Sequence, residues 1–251
     1  MRLLSLARDL RRRRARERES VFVVEGIRAV EELLRSPLVT VGVLVAPRLA
    51  ESARGAALIE RMRAAGWEVA GVDDKEFRSA AETESPQGVL AISRVPDRSI
   101  ESLAERTTLR LLLLDAVQDP GNVGTLIRTA AALGADATVA LPGTVDVWNA
   151  KVVRSAMGAH FHHPAFHAAW EDVHAFLRRG DVALWGADSR GETPGAAAPA
   201  RLALAVGNEG GGLSASVRGA ADRIVSLPIS SAVESLNVAV AAGILLHELR
   251  P

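Results

Sequence analysis

Five polar residues stand out for what their types and positions can do: Asn122, Arg128, Glu209, Ser235 and Asn237. They fall in three stretches that share one pattern: an apolar run, a polar turn, then a helical period. In the first, the run 109–114 leads into Asp119-Pro120-Gly121-Asn122-Val123-Gly124, and Leu126, Ile127, Ala130, Ala131 and Leu133 follow at helical spacing up to Gly134. Pro120 and Gly121 punctuate the turn, and Asn122 takes the expected helix N-cap, which puts Arg128 on the second turn. A fixed guanidinium beside a ring of backbone N–H groups suits an anionic partner. In the second stretch, the run 202–206 enters a loop where Gly207, Gly210, Gly211 and Gly212 surround one carboxylate, Glu209. Glycines let a backbone approach a ligand closely, and an ionised Glu is purely an acceptor. In the third, 224–229 leads through a loop to Ser235 and Asn237, at the start of a helix expected over 235–249.

Chemistry at these residues requires the three loops to meet. The rest of the chain reads as the α/β alternation that would bring them together. After 109–114, strands are expected at 137–141, 161–166, 182–186, 202–206 and 223–227, with helices over 148–157, 170–179 and 214–221. Strands joined by helical crossovers form a parallel sheet covered on both faces, and ligands bind beyond the carboxyl ends of its strands. All five polar residues fall at such ends.

The first 97 residues repeat the alternation on a smaller scale. Strands are expected at 21–24, 39–45, 67–72 and 88–92, and helices after Gly26, over 51–65 and over 73–81. Residues 94–108 are polar. The linker is placed at 98–107, between a domain at 1–97 and a domain at 108–251. A Gly/Ala/Pro-rich loop is expected at 191–200.

The bulk composition narrows the classes. A chain of 251 residues that is 48% hydrophobic can bury a large core. Thirty basic residues balance thirty acidic ones, so bulk charge points to neither nucleic acid nor membrane. Residues 1–97 hold 17 basic and 15 acidic residues, and the remainder 13 and 15. The absence of cysteine excludes disulfides, thiolate metal sites and cysteine nucleophiles. With neither a signal-peptide pattern nor a membrane-length apolar run, the expectation is a cytoplasmic protein.

Local charge is less even. Residues 1–18 carry eight arginines against Asp9 and Glu17, with Leu3, Leu4, Leu6, Ala7 and Leu10 at helical spacing. This reads as one basic amphipathic helix, either a solvated face or a phosphate-binding arm. Its short apolar face, without aromatics, argues against a membrane-surface helix. His160, His162, His163 and His167 raise the question of a metal. A strand at 161–166 would send His160 and His162 to the opposite face from His163, and zinc without cysteine is uncommon, so no metal is expected.

The three stretches in this order resemble the motifs of the SpoU-type (also called TrmH-type) RNA ribose 2′-O-methyltransferases of the SPOUT superfamily. Asp119 to Gly124 with Arg128-Thr129-Ala130, then Gly207-Asn208-Glu209-Gly210, then Leu227-Pro228 with Ser235-Leu236-Asn237 carry the likeness. Phe22-Val23-Val24-Glu25-Gly26 and Ser85-Pro86-Gln87-Gly88-Val89 resemble the small substrate-binding domain of many members. Lys151 and Arg154 to Ala159 resemble the helix between the first two motifs. The pattern departs mildly at Leu227 and Ile229, where isoleucine and methionine are common, and in the loop at 230–234.

The resemblance implies an α/β enzyme with a deep trefoil knot in its C-terminal parallel-sheet domain and a small, L30e-like N-terminal domain. It implies S-adenosylmethionine as cofactor, RNA as substrate and a homodimer. Carried over position by position, Gly207, Leu227 and Leu236 fall on cofactor-contacting positions. Asn122, Arg128, Glu209, Ser235 and Asn237 fall on positions assigned to catalysis and substrate positioning. Ribosomal RNA is favoured over transfer RNA on the type of N-terminal domain. An inactive RNA-binding relative, or a methyltransferase acting on a protein or small molecule, are the alternatives.

Overall fold

The computed structural model describes residues 2–195, 198–230 and 232–250. Ala196 and Ala197 of the expected 191–200 loop, and Ser231 of the third stretch, lie outside the described residues. The chain divides into two compact units, Met1–Asp97 with Trp148–His162, and Arg98–Val147 with His163–Pro251.

In the first unit, the expected single basic helix is two: α1 (Arg2–Asp9) and α2 (Arg13–Glu19). The break at Leu10 is held by Arg16, which is buried and donates Nη1 to the Leu10 carbonyl at 2.6 Å. A guanidinium that satisfies a carbonyl just past a helix end stabilises the stop. Leu3, Leu4, Ala7 and Leu10 are buried, so the apolar face of α1 belongs to the core. Then follow β1 (Val21–Glu25), α3 (Ile27–Leu33), β2 (Thr40–Val45), α4 (Ala53–Ala64), β3 (Val69–Gly71), α5 (Asp74–Ala80) and β4 (Val89–Arg94). The sheet order is β1-β4-β2-β3, with β4 antiparallel to both neighbours and β2 parallel to β3. Asp73 and Glu76 form a reciprocal capping box on α5.

The second unit contains β5 (Leu109–Leu114), α6 (Pro120–Ala132) and β6 (Ala137–Ala140). The chain then passes through α7 (Ala150–Ser155), which packs on β1 in the first unit. Trp148 lies 4.4 Å from the Phe22 ring, and His160 lies 5.0 Å from Trp148. The strand expected at 161–166 is instead a 3-10 turn, Ala159–Phe161, followed by β7 (Ala165–His167). Gly158 at φ 90° and Pro164 interrupt the alternation that suggested one strand. Next come α8 (Trp170–Arg179), β8 (Ala183–Glu192), β9 (Arg201–Val206), α9 (Ala215–Ala220), β10 (Arg223–Val225) and α10 (Val238–Glu248).

These strands form a six-stranded sheet of order β10-β8-β9-β5-β6-β7, parallel at every pairing. Both faces are covered, which is why β5 and β9 read as near-continuous apolar runs. One face carries Leu109, Leu111, Leu113, Val139 and Ala203 against Val173, Phe176 and Leu177 of α8 and Val217 of α9. Helices α6 and α10 pack on each other and on β6 and β9. Among the described residues, no helix is long and apolar enough to cross a membrane.

Candidate functional site

Strands β5 and β9 are hydrogen-bonded neighbours, so the loops after Leu114 and Val206 emerge side by side. The chain leaves β5 for β6 on one side while β9 lies on the other. In open parallel sheets, such a reversal is where ligands bind, beyond the carboxyl ends of the strands.

The two loops are joined by side chains. Asp115, buried at the end of β5, accepts from the Ser214 N–H at 2.6 Å. Asn208 donates to the Ala116 carbonyl at 3.0 Å and accepts from the N–H groups of Gly210 and Gly211. Glu209 accepts from the N–H groups of Gln118 (3.3 Å) and Asp119 (3.2 Å) and from the Asn122 amide (3.0 Å). Asn122 in turn accepts from the Asn237 amide at 3.0 Å. One carboxylate and two amides therefore connect all three sequence stretches.

The caps differ from the sequence expectation. The N-cap of α6 is Asp119, which accepts from the Asn122 N–H at 2.8 Å, with Pro120 as first helical residue. Asn122 sits inside the first turn, and its side chain is left for Glu209 and Asn237. At the third stretch, Asn237 is the N-cap of α10, accepting from Ala239 and Val240, so that helix begins later than expected. Asn237 thus uses its oxygen to cap and its amide to reach Asn122.

Burial alone would raise the Glu209 carboxyl. The Asn122 amide and the backbone N–H groups of Glu209 itself, Asp119 and Gln118 outweigh that and hold it below its ordinary 4.5. Glu209 is a carboxylate at neutral pH, its oxygens occupied by donors from the β5 loop.

Gly207 is buried at the base of the second loop. A Cβ there would lie 2.2 Å from the Gly212 carbonyl carbon, so the Asn208–Gly212 turn closes only on a glycine. Leu227 is half-buried, and Leu236 is 37% exposed. Ser235 is exposed and stands before α10, outside the hydrogen-bonded cluster.

With the cap at Asp119, Arg128 opens the third turn of α6 and not the second. It is exposed and, among the described residues, has no hydrogen-bond or ion-pair partner. It shares a helix face with Gly121, Gly124 and Thr125. Helical side chains lean toward the N-terminus, so a long guanidinium there leans back toward the loop end of α6 over two glycines.

Asp115, Asn208 and Asp119 escaped assignment from sequence. Asp119-Pro120 carried a readable signal, since a capping residue before a proline at the first helical position marks a helix start. Asp115 and Asn208 act across 99 and 92 residues, and local patterns do not report on such partners.

The four histidines separate into different environments. His160 is buried against Trp148 in the first unit. His163 is buried in the second unit and bonds Thr138 Oγ1 at 2.9 Å. His167 accepts from the Val147 N–H, and His162 is exposed.

Residues 110–247 match the SpoU rRNA Methylase family, and residues 5–91 match an MRM3-like substrate binding domain. The chain is 37% identical over 245 residues to the 23S rRNA (guanosine(2553)-2'-O)-methyltransferase RlmP of Bacillus subtilis (strain 168), covering 97% of this chain and 94% of that protein. It superimposes on the SpoU methyltransferase AviRb of Streptomyces viridochromogenes in complex with AdoMet at TM-score 0.88 and 27% identity, covering 98% and 96% of the two chains. An AdoMet-bound rRNA methyltransferase from Sinorhizobium meliloti gives TM-score 0.84 and 26% identity, covering 98% and 93%. The three ordered loops and these likenesses agree: the chain belongs to the SpoU rRNA methylase family.

Proposed function

We propose that the protein methylates a ribose 2′-hydroxyl of large-subunit ribosomal RNA, using S-adenosylmethionine. The observation that carries this reading is the Glu209–Asn122–Asn237 connection, which gathers the three motif loops at one sheet edge. The relative of known substrate, matched along nearly its whole length, supports ribosomal RNA over transfer RNA.

The residues present fit the cofactor. Its adenosine needs apolar surface and backbone partners, and Leu227, exposed Leu236 and the glycine loop at 207–212 offer both. When bound, S-adenosylmethionine supplies an electrophilic methyl group on a sulfonium. A ribose hydroxyl is a weak nucleophile that must be aligned and polarised. Arg128 stays protonated, so it serves as a clamp and not as a base: it holds the phosphate beside the target ribose, and its positive charge eases loss of the hydroxyl proton to water as the oxygen takes the methyl group. Asn122, Glu209 and Asn237 fix the loops that orient the reactants, and exposed Ser235 adds a donor or acceptor at the substrate side.

The returning segment is threaded as a trefoil knot, in line with the family resemblance. The protein works as a homodimer, as the family resemblance implies, and in the cytoplasm. Val240 and Ile244, 52% and 40% exposed one turn apart on α10, supply an apolar stripe for a second copy.

The test is transfer of labelled methyl from S-adenosylmethionine to an unmodified 23S ribosomal RNA transcript by the purified chain. The expected product resists alkaline hydrolysis at one linkage. Label on a base, or none on RNA, would refute the proposal.

A further inference from the structure

The positive charge of the first unit is concentrated at one corner. Residues 1–18 hold eight arginines and two acidic residues, whereas residues 19–97 hold nine basic residues against thirteen acidic ones. Within that corner the arginines divide by role. Arg16 is buried on the Leu10 carbonyl, Arg13 pairs with Glu17 at 2.6 Å, Arg18 with Glu19 at 2.8 Å, and Arg8 bonds Ser79 at 2.7 Å. Arg11, Arg12 and Arg14 are exposed, and among the described residues none has a hydrogen-bond or ion-pair partner. Arg54, Arg35 and Arg63 of this unit face carboxylates, Glu31, Glu32 and Glu60. Arg2, Arg28, Arg61, Arg78 and Arg94 are also exposed without a salt bridge among the described residues, but none of them adjoins another such arginine in sequence.

Folding gains nothing from this cluster. The three side chains crowd the start of α2, whose first turn has no acidic residue and whose N-cap, Arg12, makes no side-chain capping bond. Cations at that end oppose the helix dipole, and three like charges in close sequence repel. The adjoining apolar face of α1 is buried in the core, so the corner has no apolar surface to insert into a bilayer. What remains is a cluster of unpaired guanidiniums suited to a polyanion.

We propose that Arg11, Arg12 and Arg14 form a phosphate-contact surface for the substrate RNA, in the unit that holds none of the site loops. The identity of the polyanion rests on the reading of the chain as an RNA methyltransferase. Such contacts position the RNA without reading its sequence. Each neutralised phosphate releases counterions and adds about 0.7–0.9 to the slope of log affinity against log salt.

The experiment uses the full chain carrying R11Q, R12Q and R14Q together, with an unmodified 23S ribosomal RNA transcript as probe. Binding is measured across a salt series, separately from turnover. The expected result is a salt slope shallower by about 2–3 and a KM for the transcript raised about ten-fold or more near physiological salt. The kcat, the affinity for S-adenosylmethionine and the melting temperature stay at wild-type values. Lysine at the same three positions restores the slope, since charge and not fork geometry carries the contact. A glutamine variant with wild-type affinity and slope overturns the inference. If the wild type transfers no methyl group but the variant still loses RNA affinity, the catalytic reading fails and the contact surface stands. If the wild type has no affinity for the transcript, both fall.

Discussion

The Asn237 side-chain amide donates to the Asn122 side-chain oxygen at 3.0 Å, across 115 residues of sequence. Each partner is already committed elsewhere: Asn237 caps α10 with its oxygen, and Asn122 gives its own amide to Glu209. The orientation of both amides is thereby fixed, because each amide oxygen faces only donors and each amide nitrogen an acceptor. A break at either amide should be felt in both adjoining loops.

Replacing Asn122 with Ala removes both bonds while leaving Glu209 its backbone donors. A lost oriented hydrogen bond to a charged group costs about 1.5–3 kcal/mol, so methyl transfer should fall by roughly ten- to a hundred-fold. The Asp119 cap survives, so α6 still forms, and a loss of that size should lower the melting temperature by only several degrees. Steady-state kinetics and a thermal melt on one preparation check this. Asn122→Asp should be worse, because it sets a second carboxylate against Glu209.

Glu209 makes the loop connection dependent on acid. Its carboxyl is held below 4.5 in the folded protein, so its contribution is complete above that value and is lost as pH falls through the lower, folded one. Cofactor affinity should therefore be flat from neutrality down to 4.5 and drop only at more acid pH, where the folded carboxyl takes up its proton. Glu209→Gln should bind more weakly throughout and lose the acidic limb. Titration calorimetry at several pH values separates the two behaviours.

His163 predicts a second pH effect, on stability alone. Burial drives its pKa down from 6.5 to about 4, against the opposing pull of Asp136. The unfolded chain takes up the proton from about 6.5 downward, the folded chain only near 4, so stability falls across that window. The loss should reach on the order of 3 kcal/mol. Denaturant melts at pH 7 and pH 4.5 measure it, and His163→Gln should flatten the dependence.

Gly207→Ala should empty the site without touching a polar group. The new methyl meets the Gly212 backbone, and no flexible side chain can yield. Overpacking of this kind costs about 1–3 kcal/mol, and the shift falls on the loop that carries Glu209. Cofactor affinity should drop more steeply than the melting temperature.

Arg128→Lys distinguishes a planar clamp from a simple charge. Lysine keeps the charge but loses the bidentate fork. The variant should bind S-adenosylmethionine normally and methylate RNA at a small fraction of the wild-type rate. Near-full activity would remove Arg128 from the role assigned to it.

Much of this architecture could be read from the sequence, and the misses share physical causes. Helix α8 was legible to both ends, because an amphipathic period closes on Gly180. Of the five polar positions picked out because each follows an apolar run, Asn122, Glu209 and Asn237 are joined by hydrogen bonds, and Arg128 and Ser235 stand outside that cluster. Two capping residue types, Asp119 and Asn122, stand three apart, and the proline between them decides for the first. Strand β8 runs on to Glu192, beyond its apolar stretch, because Val225 of β10 pairs there, and a partner strand leaves no local trace. The break between α1 and α2 is likewise set by a single buried arginine inside a run of exposed ones.

The most direct measurement maps ribose methylation on ribosomal RNA from cells that lack this gene. The account predicts that one 2′-O-methyl group on the large-subunit RNA disappears, returns with the wild-type gene and stays absent with Arg128→Ala. An unchanged ribosomal RNA pattern, or a loss confined to transfer RNA, would contradict it.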